Sequence, residues 1–160
     1  MVTLTTHKTE WVLFQYNVPG KPSKLRVYVW RKLKAIRAEP LSDGVYALPL
    51  MDKTREQFEW LCAEVREMGG SAALWKAECL SKIQEQEMIA RFQDRAGKDY
   101  ERIQSLLTNK NESEIDVLLD SIIREYANIR YHDYFNTQEK YTIHTQLERQ
   151  YLKNKRSKKQ

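Results

Sequence analysis

Residues 21–49 read KPSKLRVYVWRKLKAIRAEPLSDGVYALP, and this stretch decides the fold. Its first part, residues 21–37, holds seven basic side chains and no acidic one. At about 100° per residue, the apolar side chains gather on one face of an amphipathic helix, with Lys32 at its margin. Pro40 ends the helical pattern, and the Asp-Gly pair at 43–44 supplies turn chemistry before another apolar run. The predicted apolar face consists of Leu25, Tyr28, Val29, Leu33 and Ile36.

The opposite face of the predicted helix is basic and lacks acidic residues. Trp30 and Val27 sit among its cations. A solvated helix face usually mixes both signs of charge, because pairing along the helix stabilises it and like charges repel. Three interpretations follow: a solvated face, a surface that binds DNA or another polyanion, or a protein interface anchored by the two apolar residues. The candidate nucleic-acid or oxyanion contacts are Lys24, Arg26, Trp30, Arg31, Lys34 and Arg37.

The segments around this helix predict a small α+β unit. A capping box that begins at Thr54 predicts a second helix, and Gly69-Gly70 ends it. The order of elements is then β-α-β-β-α-β, the ferredoxin-like arrangement, in which both helices cover one face of an antiparallel sheet. Strands are predicted at 11–18, 39–42, 45–50 and 71–79. The second helix is predicted to bury Phe58, Leu61, Cys62, Val65 and Met68.

From Ser81 onward the pattern predicts helices only. Ser81 caps a long helix, Asn111 with Glu114 caps the next, and a last helix follows Asn136. The apolar pattern of these helices runs through Ile83, Tyr100, Ile103, Ile122, Tyr126, Tyr141, Leu147 and Tyr151. Three regions are therefore expected, namely a ferredoxin-like unit, a helical region packed on it or on a partner, and a disordered basic tail: 1–80, 81–152 and 153–160.

Charge and composition limit the classes of function. The 160 residues carry a net charge of +5, but residues 21–37 contribute +7 and the tail 153–160 another +5, which leaves an acidic middle. Two basic segments in an otherwise acidic chain predict that positive charge is concentrated at particular surfaces, which could attract an anionic partner. The sequence shows no secretory signal, no apolar run of about 18 residues and only two cysteines. We therefore expect a cytoplasmic protein with no membrane association.

Catalytic chemistry has little support in the sequence. It lacks a glycine-rich phosphate loop, a nucleophile elbow and a paired-histidine helix motif, and Cys62 and Cys79 lack metal-ligand spacing. Asn17 ends the first predicted strand, where some small ferredoxin-like nucleases carry a metal-binding acid, and an amide cannot supply that charge. We expect no enzyme activity, no cofactor and no metal. The histidines are scattered along the chain: His7, His132 and His144.

Several motifs taken together resemble the N-terminal domain of ChrB-type chromate-resistance regulatory proteins. They are WVLFQYNVP at 11–19, PSKLRVYVWRKLKAI at 22–36, LSDGVYALP at 41–49, REQFEWLCAEVREMGGSA at 55–72, RFQDRAGKDY at 91–100 and DYFN at 133–136. The resemblance extends from about residue 11 to about residue 151. The combination of P-S-x-x-R-V-x-x-W-R-x-L-K with D-G-V-Y-x-L-P is fairly specific, whereas each piece by itself is weak.

The resemblance implies a bacterial cytoplasmic regulator that is associated with chromate transport genes, acts on DNA and responds to chromate. Members commonly continue into a C-terminal domain after the helical region, and effector binding is expected to belong to that domain. The family's basic motif falls on Arg26, Trp30, Arg31 and Lys34, and its Asp-Gly turn falls on 43–44. In that turn we expect the glycine to permit the hairpin backbone and the aspartate to bond its own turn.

The leading hypothesis is a non-enzymatic, DNA-binding transcriptional regulator that acts as a homodimer. Arg26 and Arg31 are the residues best suited to contact phosphate, and the same fork of arginine donors would also suit chromate or another oxyanion. One alternative is a protein-interaction module, or half of a split regulator whose effector domain is on another chain. A third interpretation, an oxyanion-binding or redox enzyme, needs a pocket where one of these arginines meets a thiol or a histidine.

Overall fold

The computed structural model describes residues 8–20 and 24–158. Its elements are β1 (Glu10–Asn17), α1 (Lys24–Ala35), β2 (Glu39–Ser42), β3 (Val45–Pro49), α2 (Asp52–Glu67), β4 (Ser71–Glu78), α3 (Lys82–Asn109), α4 (Glu112–His132) and α5 (Glu139–Ser157). The predicted α+β class, with a β-α-β-β-α-β unit followed by helices, is confirmed. Three parts of the sequence discussed above lie outside the described residues, namely His7, the start of the basic stretch at 21–23 and the end of the tail at 159–160.

The four strands form one antiparallel sheet in the order β2-β3-β1-β4. Central β1 pairs with β3 on one side and with β4 on the other, so that Leu13 lies opposite both Ala47 and Trp75. Side chains alternate between the two faces along a strand. Phe14 is fully buried and stacks on Phe58 of α2, with ring centroids 5.3 Å apart. The even-numbered residues of β1 therefore face α2, and the odd-numbered ones lie on the other face.

The two helices of the α/β unit pack through the apolar faces that the sequence predicts. Val29 and Leu33 of α1 are buried, and the rest of the predicted apolar face of α1 is partly buried. Met68 is the exception on α2, because it follows the last helical residue and is exposed. The chain leaves the helix through Gly69, at a φ of +87°. The buried residues of α2 that match the prediction are Phe58, Leu61, Cys62 and Val65.

The start of α2 differs from the prediction. The helix begins at Asp52, so Thr54 lies inside the first turn and is buried, and it is not the N-cap. Its hydroxyl donates to the carbonyl of Pro49 at 2.6 Å and accepts from the N–H of Met51 at 2.9 Å. Thr54 therefore ties the end of β3 to the first turn of α2. The predicted cap position is therefore three residues too late, because Thr54 bonds backward to the strand and to Met51 at the start of the helix.

The chain divides into two compact units between Met88 and Ile89, inside α3, whereas the sequence placed a boundary after residue 80. The second unit is helical, and Tyr100 and Ile103 are fully buried in its core. Its other buried residues include Ile122, Tyr126, Ile129, Ile143 and Leu147. Three positions of the predicted apolar pattern are exposed instead: Ile83, Tyr141 and Tyr151.

The predicted disordered tail needs a correction. Helix α5 continues through Ser157, so residues 153–157 are helical. The ammonium group of Lys153 lies 2.9 Å from the carboxylate of Glu112 on α4, and Asn154 is buried. These contacts give the basic segment a packed side. Across residues 8–20 and 24–158, no helix has the length and apolar character needed to cross a membrane.

Candidate nucleic-acid interface

The predicted contacts of α1 lie together on its solvent side. Helix α1 docks through Val29 and Leu33, and this orientation leaves the opposite side exposed. We call the candidate set the α1 basic surface. The structure leaves five of its members exposed along α1 and places the sixth, Arg37, after the end of the helix, where it is partly buried. The α1 basic surface consists of Lys24, Arg26, Trp30, Arg31, Lys34 and Arg37.

The side chains at the centre of this surface form one patch. Val27, Trp30, Arg31 and Lys34 follow the i, i+3, i+4, i+7 spacing that brings residues to the same side of a helix. Val27 and Trp30 are each close to half exposed. The ammonium group of Lys34 lies 4.7 Å from the ring centroid of Trp30, within cation–π range. The patch thus presents an indole and two cations to solvent.

The protein's own carboxylates neutralise only part of α1. Lys32, at the margin of the apolar face, lies 3.9 Å from Glu64 of α2. Within the described residues, Lys24, Arg31 and Lys34 form no ion pair with a carboxylate. The uncompensated positive charge therefore lies on the solvent side of the helix, where a polyanion can reach it.

Arg26 has a different environment from the other cations. Its guanidinium lies 3.9 Å from the carboxylate of Asp43, in the turn between β2 and β3. We expected Asp43 to bond its own turn, and the structure shows its carboxylate paired with Arg26 of α1. Both side chains are well exposed, so the pair contributes at most about 1 kcal/mol and can open at little cost. This ion pair connects the basic helix with the Asp-Gly turn, the two parts of the motif noted in the sequence.

Two tyrosines beside Arg26 were not predicted as part of the site. The rings of Tyr16 and Tyr46 lie 6.3 Å apart. Burial raises the pKa of Tyr16, the neighbouring Tyr46 raises it further, and the positive charge of Arg26 opposes both. In the sequence, each tyrosine has a predictable side of its own strand. The contact between them depends on the register of β1 and β3, which the sequence pattern does not give.

Gly44 fixes the turn that carries Asp43. Its φ of +73° is in the left-handed region. A Cβ atom at this position would lie 2.6 Å from the carbonyl oxygen of Tyr16. The N–H of Tyr16 in turn donates to the carbonyl of Gly44 at 2.8 Å. The turn is therefore pressed against the end of β1, and the predicted need for glycine is confirmed for a second reason, close backbone approach.

Arg37 has an unusual backbone conformation for its residue type. Its φ of +59° is in the left-handed region, directly after the end of α1. The N–H of Ala38 donates back to the carbonyl of Leu33 at 3.0 Å. In this type of helix end, the position that Arg37 occupies usually holds glycine. A residue with a Cβ atom costs about 1–2 kcal/mol in this conformation.

We expect the backbone cost at Arg37 to be measurable as a difference between two variants. Arg37→Ala removes the side chain and keeps the Cβ atom, whereas Arg37→Gly removes both. The glycine variant should therefore be more stable than the alanine variant by about 1 kcal/mol. Urea denaturation of the two variants measures this difference directly. Equal stabilities would mean that the left-handed conformation carries no cost at this position.

The two cysteines lie in different environments. Cys62 is buried on α2, and burial raises the pKa of its thiol, which disfavours the reactive thiolate. Cys79 is partly exposed, and its sulfur donates to the carbonyl of Ser81 at 3.3 Å. Among residues 8–20 and 24–158, no group of three or more His, Cys, Asp or Glu side chains is placed to hold a metal ion.

The histidines of the helical unit lie in separate environments. The Nδ1 atom of His132 is 2.9 Å from the carbonyl of Asn128, and its ring meets Tyr131 and Tyr134 edge to face. His132 therefore lies in an aromatic neighbourhood. His144 stacks near Tyr126, with ring centroids 6.1 Å apart.

A groove between α4 and α5 was not predicted. Its volume is about 690 Å³. Its walls are mainly aromatic and aliphatic, with one basic and one acidic side chain among them. The predicted pattern of α5 included Tyr151, and this tyrosine is now seen to face the groove instead of the core. The lining includes Tyr126, Arg130, His144, Leu147, Glu148 and Tyr151.

Comparison with known proteins identifies relatives of this chain. A family model described as Protein ChrB, N-terminal, matches residues 26–118, a stretch that begins within the α1 basic surface and ends in α4. Protein ChrB of Cupriavidus metallidurans is 27% identical over 114 residues, which cover 68% of this chain and 35% of that protein. The chain thus spans about a third of the length of this curated relative. No solved structure matches.

Proposed function

We propose, because the chain belongs to the ChrB N-terminal family, that it is a regulatory protein of chromate resistance that binds DNA through the α1 basic surface. Membership of the family supports an association with chromate resistance. The proposal rests chiefly on one observation: Lys24, Arg31 and Lys34 are exposed on a docked helix and form no ion pair with a carboxylate in the described part of the chain.

Phosphate binding follows from this charge arrangement. A protein that neutralises phosphates releases condensed counterions, so a row of unpaired cations gains affinity for duplex DNA. The major groove is about 12 Å wide and admits an α-helix. Arg26 would join the contact once its weak pair with Asp43 opens, and Trp30 would pack against the sugar-phosphate backbone or the base edges. Phosphate contacts position a protein, and base contacts determine its sequence preference.

The remaining parts of the proposal follow from this role. We expect a cytoplasmic, non-enzymatic protein that binds as a homodimer. Chromate or another oxyanion would compete with phosphate for the same arginine donors, since a guanidinium fork suits any tetrahedral anion.

A salt titration of DNA binding tests the proposal. The probes are a duplex from the promoter of the protein's own operon and an unrelated duplex of equal length. We expect Arg26→Ala with Arg31→Ala to weaken binding by about 10- to 100-fold at low salt and to reduce the slope of log affinity against log salt by about 2. Fluorescence anisotropy measures both quantities.

A matched pair of variants controls for net charge. Arg124 and Arg149 are exposed on α4 and α5, so Arg124→Ala with Arg149→Ala removes the same charge from the helical unit. This control should retain the affinity and most of the salt slope of the unmodified chain. If the two double variants lose affinity equally, or if binding does not depend on salt, the α1 basic surface is not the DNA contact.

The second candidate function is a protein-interaction module whose effector domain is on a separate chain. The α4–α5 groove favours it, because an amphipathic helix with an apolar stripe would fit between aromatic walls. The charges of Arg130 and Glu148 would set the direction of that helix. Negligible affinity for duplex DNA, together with a stoichiometric complex with the second chain, would identify this function.

A further inference from the structure

The two edges of the sheet are built differently. At one edge, β2 has only four residues, contains Pro40, and shifts register against β3 between Pro40 and Ser42. These features are the usual means by which proteins protect an edge from pairing with another strand. At the other edge, β4 has eight residues, and each pairs with β1 without a shift. It contains neither proline nor glycine.

The hydrogen bonds of β1 show which backbone groups of β4 point outward. The N–H of Tyr16 donates to Gly44, and the carbonyl of Glu10 accepts from Leu50, both on the β3 side. Alternate residues of a strand turn their N–H and C=O groups to opposite sides. The odd-numbered residues of β1 therefore bond β4. Their partners in register are the odd-numbered residues of β4, so the even-numbered residues of β4 point away from the sheet.

One contact supports this assignment independently. The guanidinium of Arg66 donates to the carbonyl of Ala72 at 2.7 Å, which requires that carbonyl to point away from β1. Arg66 thus caps the beginning of the edge. Three further outward residues follow, and within the described residues no strand lies on their outer side to bond these backbone groups: Leu74, Lys76 and Glu78.

The side chains of β4 do not protect this edge. Lys76 is the kind of residue that guards an edge, but its ammonium group lies 2.7 Å from Glu10 of β1. Glu78 is paired with Lys8, which precedes β1. Trp75 lies on the sheet face opposite Phe58, and its indole N–H donates to the side chain of Gln15 at 3.0 Å. The indole is 55% exposed although it is held in place.

We propose that β4 pairs antiparallel with β4 of a second copy of this chain, with Trp75 against Trp75 at the two-fold axis. A strand edge and its two-fold copy present identical groups, so the contact is self-complementary. In this register Trp75 forms a pair without ladder hydrogen bonds, the closer type of pair, which suits aromatic contact.

The charges favour this register and a copy of the same chain. With Trp75 on the axis, Ala73 faces Ala77, Leu74 faces Lys76, and Ala72 faces Glu78, so no like charges are opposed. Placing the axis at Lys76 would set two ammonium groups opposite each other, which is unfavourable. The proposal stands apart from DNA binding, and it assigns the dimer to β4, not to Trp30 on α1.

Sedimentation velocity of the full chain between about 1 and 100 µM tests the dimer, a range that covers typical affinities of modest interfaces. Trp75→Lys removes the aromatic contact and brings like charges together, so we expect it to weaken dimerisation by at least about 10-fold. Trp60→Lys is the matched control, because Trp60 is 67% exposed and lies on α2, not on β4. This control should dimerise like the unmodified chain.

Amide hydrogen exchange by NMR identifies the surface itself. In the dimer, the outward amides of Leu74 and Lys76 should become protected as the concentration rises, and Trp75→Lys should remove that protection. The inward amides of Ala73 and Ala77 are bonded to β1 and should stay protected in both proteins, which also shows that the variant is folded. A chain that stays monomeric, or a dimer whose outward amides exchange freely, would overturn the proposal.

Discussion

Replacing Gly44 with alanine is expected to lower the free energy of unfolding by about 2–4 kcal/mol. Two costs add at this position. An alanine at a φ of +73° is strained in the left-handed region, and its Cβ atom would lie 2.6 Å from the carbonyl oxygen of Tyr16. Backbone is a poor partner in such a clash, because moving it would break the hydrogen bond from Tyr16 to Gly44. Urea denaturation followed by tryptophan fluorescence measures the loss.

Gly69 supplies a control that separates the two costs. It has a φ of +87°, and a Cβ atom built there meets nothing within 4 Å. Gly69→Ala should therefore show the conformational cost alone, about 1 kcal/mol. The difference between the two variants then measures the contact with Tyr16. Equal losses would mean that the β2–β3 turn moves away from β1 at no cost, and that the position of Asp43 beside Arg26 is not enforced by Gly44.

Local signals in the sequence were predicted well, because both partners lie within a few residues. Asn111 and Glu114 are three residues apart, and they form the predicted reciprocal cap, with both hydrogen bonds at 3.0 Å. The Asp-Gly hairpin and the Gly69-Gly70 helix end are confirmed for the same reason. In each case the chain itself brings the interacting groups together, so no knowledge of the tertiary fold is needed.

Contacts between distant segments account for most of the corrections. The pattern of α5 placed Tyr141 and Tyr151 with Leu147, yet Ile143 and Leu147 face the core. A search for helical periodicity treats tyrosine as an apolar residue. Its hydroxyl group, however, also allows tyrosine to lie in a groove or at the surface. Periodicity states which residues share a side of a helix, and it does not state which side the rest of the protein covers.

The candidate site shows the same division. The solvent side of α1 follows from its own sequence, because Val29 and Leu33 fix the buried side. The ion pair of Arg26 with Asp43 and the neighbouring tyrosines depend on the register of three strands. Likewise, the open edge of β4 exists because β4 pairs with β1 on one side only. Strand order and register arise from contacts across the chain, and a local pattern does not contain them.

In the helical unit, Asp133→Ala is expected to lower the free energy of unfolding by about 3–5 kcal/mol, because removing a buried acceptor leaves several donors without partners. Asp133 is buried at the end of α4. Its carboxylate accepts from the backbone N–H of Thr137 at 2.9 Å, from the Thr137 hydroxyl at 2.7 Å and from the Tyr100 hydroxyl at 3.1 Å. It therefore ties the α4–α5 connection to α3.

Two substitutions bracket this prediction. Asp133→Asn keeps one side-chain oxygen and should cost less, about 1–2 kcal/mol. Asp120 is exposed on α4, and Asp120→Ala should change stability by no more than about 0.5 kcal/mol. Urea denaturation followed by circular dichroism orders the three variants. If Asp133→Ala is as mild as Asp120→Ala, water replaces the carboxylate and the connection between the helices does not depend on it.

The hydrogen bond between Tyr100 and Asp133 also predicts that the protein becomes less stable at alkaline pH. Burial raises the pKa of Tyr100 well above its ordinary value, and the charge of Asp133 and the hydrogen bond to it raise the pKa further. The unfolded chain loses the tyrosine proton near pH 10, whereas the folded chain keeps it. The folded state then binds more protons, so the free energy of unfolding should fall by up to about 1.4 kcal/mol per pH unit above pH 10. Tyr100→Phe removes the ionisable group and should flatten this decline. A decline that persists unchanged in Tyr100→Phe would mean that other tyrosines cause it.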